Sequence, residues 1–217
     1  GSEMCIRDRS RAEELPGSYV FVFQPAEEGL GGADAMVAGG LLDGLDLERS
    51  IGCHLGSILP TGTVGLREGT TMAAYKELHI DVHGIGGHGA AYTAGANPLL
   101  AAAELAKQLA GIVDGLVYEG TSCQCTAGQL LAGTAANVIP DHATLRGTLR
   151  TFTDDQQVEA LGRLDTLLSS LGDETGCRFE LSLVGASRPV RNDAAATAIV
   201  RSAGEAMIGQ ANMLAIP

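Results

Sequence analysis

The spacing of apolar positions along this chain changes near residue 73, and that change divides it in two. Before it, Ser18–Gln24 (SYVFVFQ) is a continuous apolar run, the pattern of a strand buried on both faces of a parallel sheet. Pro25-Ala26-Glu27-Glu28-Gly29 ends the run, and a short helix is predicted over Ala33–Ala38. A second short strand near Ser50–Leu55 carries Cys53 and His54. Strand, helix, strand is a βαβ unit, whose functional loops lie at the carboxyl ends of its strands. Glu27, Glu28 and His54 all fall at such ends.

Beyond residue 73 the period becomes two. Leu78, Ile80 and Val82 alternate with Glu77, His79, Asp81 and His83, as in a half-buried strand. A glycine-rich turn, Gly84–Gly89, follows. Asn97-Pro98 supplies an N-cap and a first-turn proline for a helix whose inward stripe is Leu105, Leu109 and Ile112. Strands are predicted near Thr121–Ala127, where Cys123 and Cys125 share the inward face with Ala127, and near Ala143–Thr151. Thr153-Asp154-Asp155-Gln156 is a capping box opening a helix with Val158, Leu161, Leu164, Leu168 and Leu171 on one face, closed by Gly172. A last strand, Cys177–Val184, turns Cys177, Phe179, Leu181 and Leu183 to one side, and Asp193 caps a helix from Ala194 to about Ile208. The order is β-α-β-β-α-β, the split βαβ or ferredoxin-like arrangement. The fold class read from these patterns is therefore α/β, with a ferredoxin-like insert over residues 73–186 between two parts of another domain, residues 16–72 and 187–217.

The chain has 217 residues, 45% hydrophobic and 18% charged, enough for a sizeable core. Acids outnumber bases, 26 against 14, a surface that repels phosphate backbones and argues against nucleic acid as a partner. No apolar run is long enough to span a membrane. Thirty glycines imply many tight turns and close backbone approaches. The five cysteines form no disulfide framework, which favours a reducing, cytoplasmic location. Residues 1–10, GSEMCIRDRS, follow neither period and resemble a translated sequencing adapter, so residues 1–15 read as a non-native leader. With both ends apparently cut, the expectation is an internal fragment of a longer protein.

Glu27-Glu28 is the most suggestive chemical feature. Two adjacent carboxylates repel, and a cation would relieve them, with one as a ligand and the other as a proton carrier. A solvated acidic turn is the alternative. His54 fits a metal ligand or a structural histidine. A catalytic metal needs at least three protein ligands, and these groups fall short of one complete site. His88 sits in Gly84-Ile85-Gly86-Gly87-His88-Gly89, where flanking glycines expose the imidazole; a plain turn histidine fits as well. His79, Asp81 and His83 share a strand face, and the polar side of an alternating strand explains them. Asn137, in Gly133–Asp141, and Arg150, beyond Thr144, Arg146 and Thr148, would suit a carboxylate clamp of amide and guanidinium. An Asx turn and a surface arginine are the alternative.

Together, VFVFQPAEEG, GCHLG, GIGGHGA, GTAANVIPD and GTLRTF resemble, in order and spacing, the M20 metallopeptidase and amidohydrolase family. The nearest branch is the aminoacylase-like one, with the hippurate and indole-acetyl-amino-acid hydrolases. The resemblance runs from about Pro16 to the end. It implies a two-metal aminopeptidase-like catalytic domain interrupted by a ferredoxin-like lid that also dimerises. It further implies hydrolysis of the amide bond of N-acyl amino acids or small peptides, with two divalent ions, zinc or manganese, as cofactors.

Residue by residue, the resemblance makes Glu27 the general base, Glu28 a ligand of one metal and His54 a ligand of the other. His88 would reach into the partner subunit's site to stabilise the oxyanion, and Asn137 and Arg150 would hold the substrate carboxylate. Relatives carry a Cys-x-His or His-x-Asp motif upstream of the QPAEE strand and a further histidine near the C-terminus, and neither is present here. The chain alone is therefore expected to bind metal weakly and to hydrolyse little. The reading from a different class is a non-catalytic dimerisation or ligand-binding module built on the ferredoxin-like part.

Overall fold

The computed structural model describes residues 12–14, 16–26, 31–91 and 95–216. The chain forms two compact units, Gly1–Leu45 and Asp46–Pro217. In the first, the regular elements among the described residues are a 3-10 turn at Ala12–Glu14 and helix α1, Gly32–Ala38. The predicted strand Ser18–Gln24 is not formed, and Tyr19, Val20, Phe21, Val22 and Phe23 are all exposed. The reason is pairing. A strand exists only when neighbours accept its backbone hydrogen bonds, and this unit contains no other strand among its described residues.

The second unit holds the sheets. In chain order its strands are β1 (Val64–Leu66), β2 (Gly69–Met72), β3 (Ala74–His83), β4 (Gly87–His88), β5 (Val117–Tyr118), β6 (Thr121–Ser122), β7 (Gln124–Ala132), β8 (Val138–Ile139), β9 (His142–Thr151), β10 (Arg178–Ser187), β11 (Val190–Asn192) and β12 (Met213–Ala215). Its helices are α2 (Pro98–Gln108), α3 (Asp154–Thr175) and α4 (Ala194–Ile208). The second predicted strand, Ser50–Leu55, is also absent, with Ile51 and Leu55 largely exposed. The βαβ unit read from the amino-terminal pattern is therefore not built.

The main sheet is antiparallel, in the order β10-β3-β9-β7. With α2 between β3 and β7 and α3 between β9 and β10, this is the split βαβ topology. One face of the sheet packs on both helices. Leu78, Ile80 and Val82 of β3 and Leu145 and Leu149 of β9 are buried against Leu105 of α2 and Ala160, Leu164 and Leu171 of α3. Each of these leucine, isoleucine and valine side chains contributes about 1.5–3 kcal/mol on burial. Cys123 and Cys125 join this core, whereas Ala127, the last residue before the β7–β9 register shifts to Gln129, is exposed.

Local signals set the helix starts. The Asn97 side chain accepts from the Leu99 N–H at 3.1 Å, Thr153 Oγ1 from Gln156 N–H at 3.2 Å, and Asp193 from Ala196 N–H at 2.9 Å. Gln156 completes its box one residue early, accepting from Phe152 N–H instead of Thr153. Two details of α3 correct the sequence pattern. Val158 is exposed, since at 100° per residue it lies about 120° from Leu164, and Ala160 takes the inward place. Gly172 does not end the helix; the chain continues to Thr175, and Gly176, at φ +69°, donates to the Gly172 carbonyl as the left-handed cap. In β10, Leu183 is exposed, beside the register shift at Val184/Ala186.

The chain enters the split βαβ through β2 and leaves it through β11, and these two strands pair antiparallel. Asn192 ties the ribbon, donating to the Arg67 carbonyl at 2.8 Å and to Thr71 Oγ1 at 2.7 Å.

Candidate functional site

The two loops singled out by His88 and Asn137 are joined in space. β4 pairs antiparallel with β8, setting Gly87 opposite Ile139 and His88 opposite Val138. Gly89 N–H then donates to the Asn137 carbonyl at 2.8 Å, and Gly84 N–H to the Asp141 carbonyl at 2.9 Å. The glycines matter because the backbones are close. A Cβ at Gly86 would lie 3.1 Å from both the Asp141 nitrogen and the Ile139 oxygen, and one at Gly89 would lie 3.3 Å from the Asn137 oxygen. His88 and Asn137 are both exposed on this platform. Beside them is an open cleft of about 370 Å³, lined by Gly86, Gly87, Thr134, Pro140, Asp141 and His142.

Arg150 is not part of this platform. It lies eight residues along β9 from His142, roughly 27 Å at about 3.4 Å per residue. It faces Tyr75 across the β3–β9 pair, with its guanidinium carbon 5.2 Å from the ring centroid, a cation–π contact. The guanidinium proposed to clamp one carboxylate with the Asn137 amide therefore sits at the far end of β9 from the Asn137 loop.

His54 is exposed and lies outside any strand. Glu27 and Glu28 fall outside the described residues. Among the described residues no group of three or more His, Cys, Asp or Glu side chains is placed to hold a metal ion. A complete metal centre does not fit the described part of this chain.

The histidines of the strand face are ordinary members of a polar ladder on the open side of the sheet. His79 Nε2 lies 2.7 Å from Glu77, His142 Nε2 3.2 Å from Asp81, Arg146 3.6 Å from Asp81, and His83 Nε2 3.4 Å from Glu180. The His83 and His142 rings are 4.9 Å apart. Each imidazole thus faces a carboxylate in ion-pair range. Cys123 and Cys125 are core residues, and burial pushes the Cys125 thiol up to about 12.

Sequence reasoning missed the β4–β8 bridge. Two strands of two residues are too short to show an alternation, and the Gly-rich spacing around His88 was the one available signal. It also missed Glu119, which holds φ +47° in a two-residue turn with Gly120 and reaches Arg67 at 2.6 Å. The guanidinium bonded to it keeps the Glu119 carboxyl below the usual carboxylate range.

A model of peptidase family M20/M25/M40 matches residues 4–217. Among curated relatives, an N-acetyldiaminopimelate deacetylase of a Geobacillus species is 34% identical over 179 residues, covering 82% of this chain and 48% of its own length. An N-acetyl-L-cysteine deacetylase of Bacillus subtilis is 32% identical over 195 residues, covering 90% and 46%. Among solved structures, a Bacillus subtilis protein described as a dinuclear metal binding peptidase from the M20 family superposes with a TM-score of 0.73 at 26% identity, covering 97% of this chain and 52% of that one. An aminobenzoyl-glutamate utilization protein of Klebsiella pneumoniae gives 0.72 at 28% identity, covering 97% and 53%. The chain spans about half the length of the curated relatives it matches.

Proposed function

The chain belongs to peptidase family M20/M25/M40, and from that premise we propose that it is part of a metal-dependent hydrolase cleaving the amide bond of N-acyl amino acids or small peptides. The observation that carries the proposal is the His88–Asn137 platform. It joins the backbones of the His88 and Asn137 loops next to an open cleft, with both side chains exposed. An imidazole N–H is suited to a developing oxyanion, and a carboxamide to a substrate carboxylate. Names of relatives support the substrate class, since both curated relatives are deacetylases of N-acetyl amino acids.

Glu27 as general base, and Glu28 and His54 as ligands of two divalent ions, zinc or manganese, rest on the family resemblance. Each ion would receive one of these side chains, fewer than the three a catalytic site takes. Among the described residues no metal centre is assembled, so the remaining ligands would come from outside them.

Arg150 lies too far from Asn137 to share a carboxylate with it inside one protomer. Sharing one carboxylate between them would require the Arg150 of a second copy in a homodimer. The edge position of β7, paired on one side by β9 and carrying exposed Leu130 and Leu131, supports such pairing through the split βαβ part.

The test uses a chain extended to the length of the curated relatives. His88→Ala and Glu27→Gln should each abolish most turnover of an N-acetyl amino acid. Mixing the two inactive variants should restore part of it, because one site of a mixed dimer then has both groups. Inactive singles whose mixture stays inactive would remove the role of His88 across the subunit boundary. An active Glu27→Gln enzyme would remove the base assignment.

One observation favours a second reading, a non-catalytic dimerisation or ligand-binding module. The hydrophobic core lies within the split βαβ part, whereas Ser18–Gln24 and Ser50–Leu55 build no sheet. Retained ligand binding with no turnover in the extended chain would select it.

A further inference from the structure

We propose that the backbone N–H of Ala90 fixes the His88 imidazole as its Nε2–H tautomer, so that this exposed side chain presents Nε2 as a hydrogen-bond donor. The inference rests on the reading of His88 as an oxyanion donor for its purpose, but the tautomer itself is a separate fact. Ala90 N–H lies 3.2 Å from His88 Nδ1. A backbone N–H can only donate, so Nδ1 must present a lone pair, and the proton of the neutral ring then belongs to Nε2. The opposite tautomer would set two N–H groups against each other.

The geometry that holds this bond is made entirely of backbone. His88 is paired in the β4–β8 bridge, Gly89 N–H is committed to the Asn137 carbonyl, and Gly89–Ala91 closes as a 3-10 turn. His88 and Ala90 are therefore clamped on either side of a fixed residue. The turn brings the Ala90 N–H back onto the ring of the residue two before it. An exposed histidine has no packing to orient it, and this bond supplies orientation and protonation site together. A donor aimed in advance requires no reorganisation when charge develops on an oxygen. Ala90 is thus a positioning residue acting through its main chain.

The test reads the ring nitrogens of the 217-residue chain by two-bond proton–nitrogen correlation. The five histidines keep the spectrum simple, and His88→Gln identifies the signal. The expected pattern is an unprotonated Nδ1 with the proton on Nε2; an Nδ1–H pattern, or the averaged pattern of free imidazole, overturns the proposal. Ala90→Pro removes the donor and should move the signal toward the averaged pattern, whereas Ala90→Ser keeps the N–H and should leave it in place. If Ala90→Pro disturbs the loop, the wild-type and Ala90→Ser spectra still decide. In the extended chain, His88→Gln, whose amide nitrogen approximates Nε2, should retain more kcat than His88→Ala, which should lose about 10²–10³-fold. An Nε2–H spectrum with undiminished turnover in His88→Ala would keep the tautomer and discard the oxyanion role.

Discussion

Gly89 donates its backbone N–H to the carbonyl of Asn137 over 2.8 Å, and with the β4–β8 pair it makes the His88 loop and the Asn137 loop a single mechanical piece. Gly89→Pro deletes the donor. Amide resonances around both His88 and Asn137 should then shift together, while those of β3 and β9 far from the loops stay put. Changes confined to the His88 side would mean that the loops are independent.

Two glycines of the split βαβ part should respond to alanine in opposite directions. At Gly147, in the middle of β9, a Cβ would lie 2.5 Å from the Thr126 carbonyl oxygen of β7, so Gly147→Ala must push the pair apart and destabilise. At Gly162, on the exposed side of α3, a Cβ meets nothing within 4 Å. Gly162→Ala should stabilise by about 1 kcal/mol through helix propensity. Denaturant midpoints of the two variants check the signs.

The Arg67–Glu119 pair should give stability an acid limb. Because Arg67 lowers the folded-state pKa of Glu119, its contribution is present above the ordinary carboxylate range and is lost as pH falls through the lowered value. Glu119→Gln should flatten that limb, and the difference from wild type should vanish in acid and shrink in high salt. Unfolding curves across acidic and neutral pH, at two ionic strengths, measure this. An unchanged limb in the variant would assign it to other carboxylates, of which Glu104, bonded to Lys107 and Gln108, is one.

Thiol chemistry should separate the cysteines by burial. Cys53 is exposed, whereas Cys123, Cys125 and Cys177 are buried. Burial also raises the Cys123 and Cys125 thiols, so little thiolate forms near neutral pH. An alkylating reagent at pH 8 should label Cys53 and spare these three until denaturant is added, as read by peptide mass mapping.

If two copies pair along β7, a charge on its exposed edge should disrupt them. Leu131→Lys places an ammonium where Leu131 is 57% exposed, without touching the core. The expected result is a shift from dimer to monomer in analytical ultracentrifugation, with helix and strand content unchanged. A wild-type chain that stays monomeric at high concentration would remove the dimer proposal.

What the sequence determined by itself is what short-range physics encodes. Asn97, Thr153 and Asp193 cap their helices with their own side chains, and the alternation around Leu78, Ile80 and Val82 fixes which face of β3 is buried. The β-α-β-β-α-β order follows from such signals, since each is complete within a few residues. Only the tertiary structure decided pairing. Ser18–Gln24 and Ser50–Leu55 have strand composition, yet a strand is a relation between segments, and among the described residues neither has a partner. The reverse holds for Gly87–His88 and Val138–Ile139, which carry no strand pattern and pair because the β3 and β9 ends bring them together. Likewise, Asn137 and Arg150 look like neighbours along the chain, but an extended strand at about 3.4 Å per residue carries them apart, while His88, distant in sequence, is brought to Asn137.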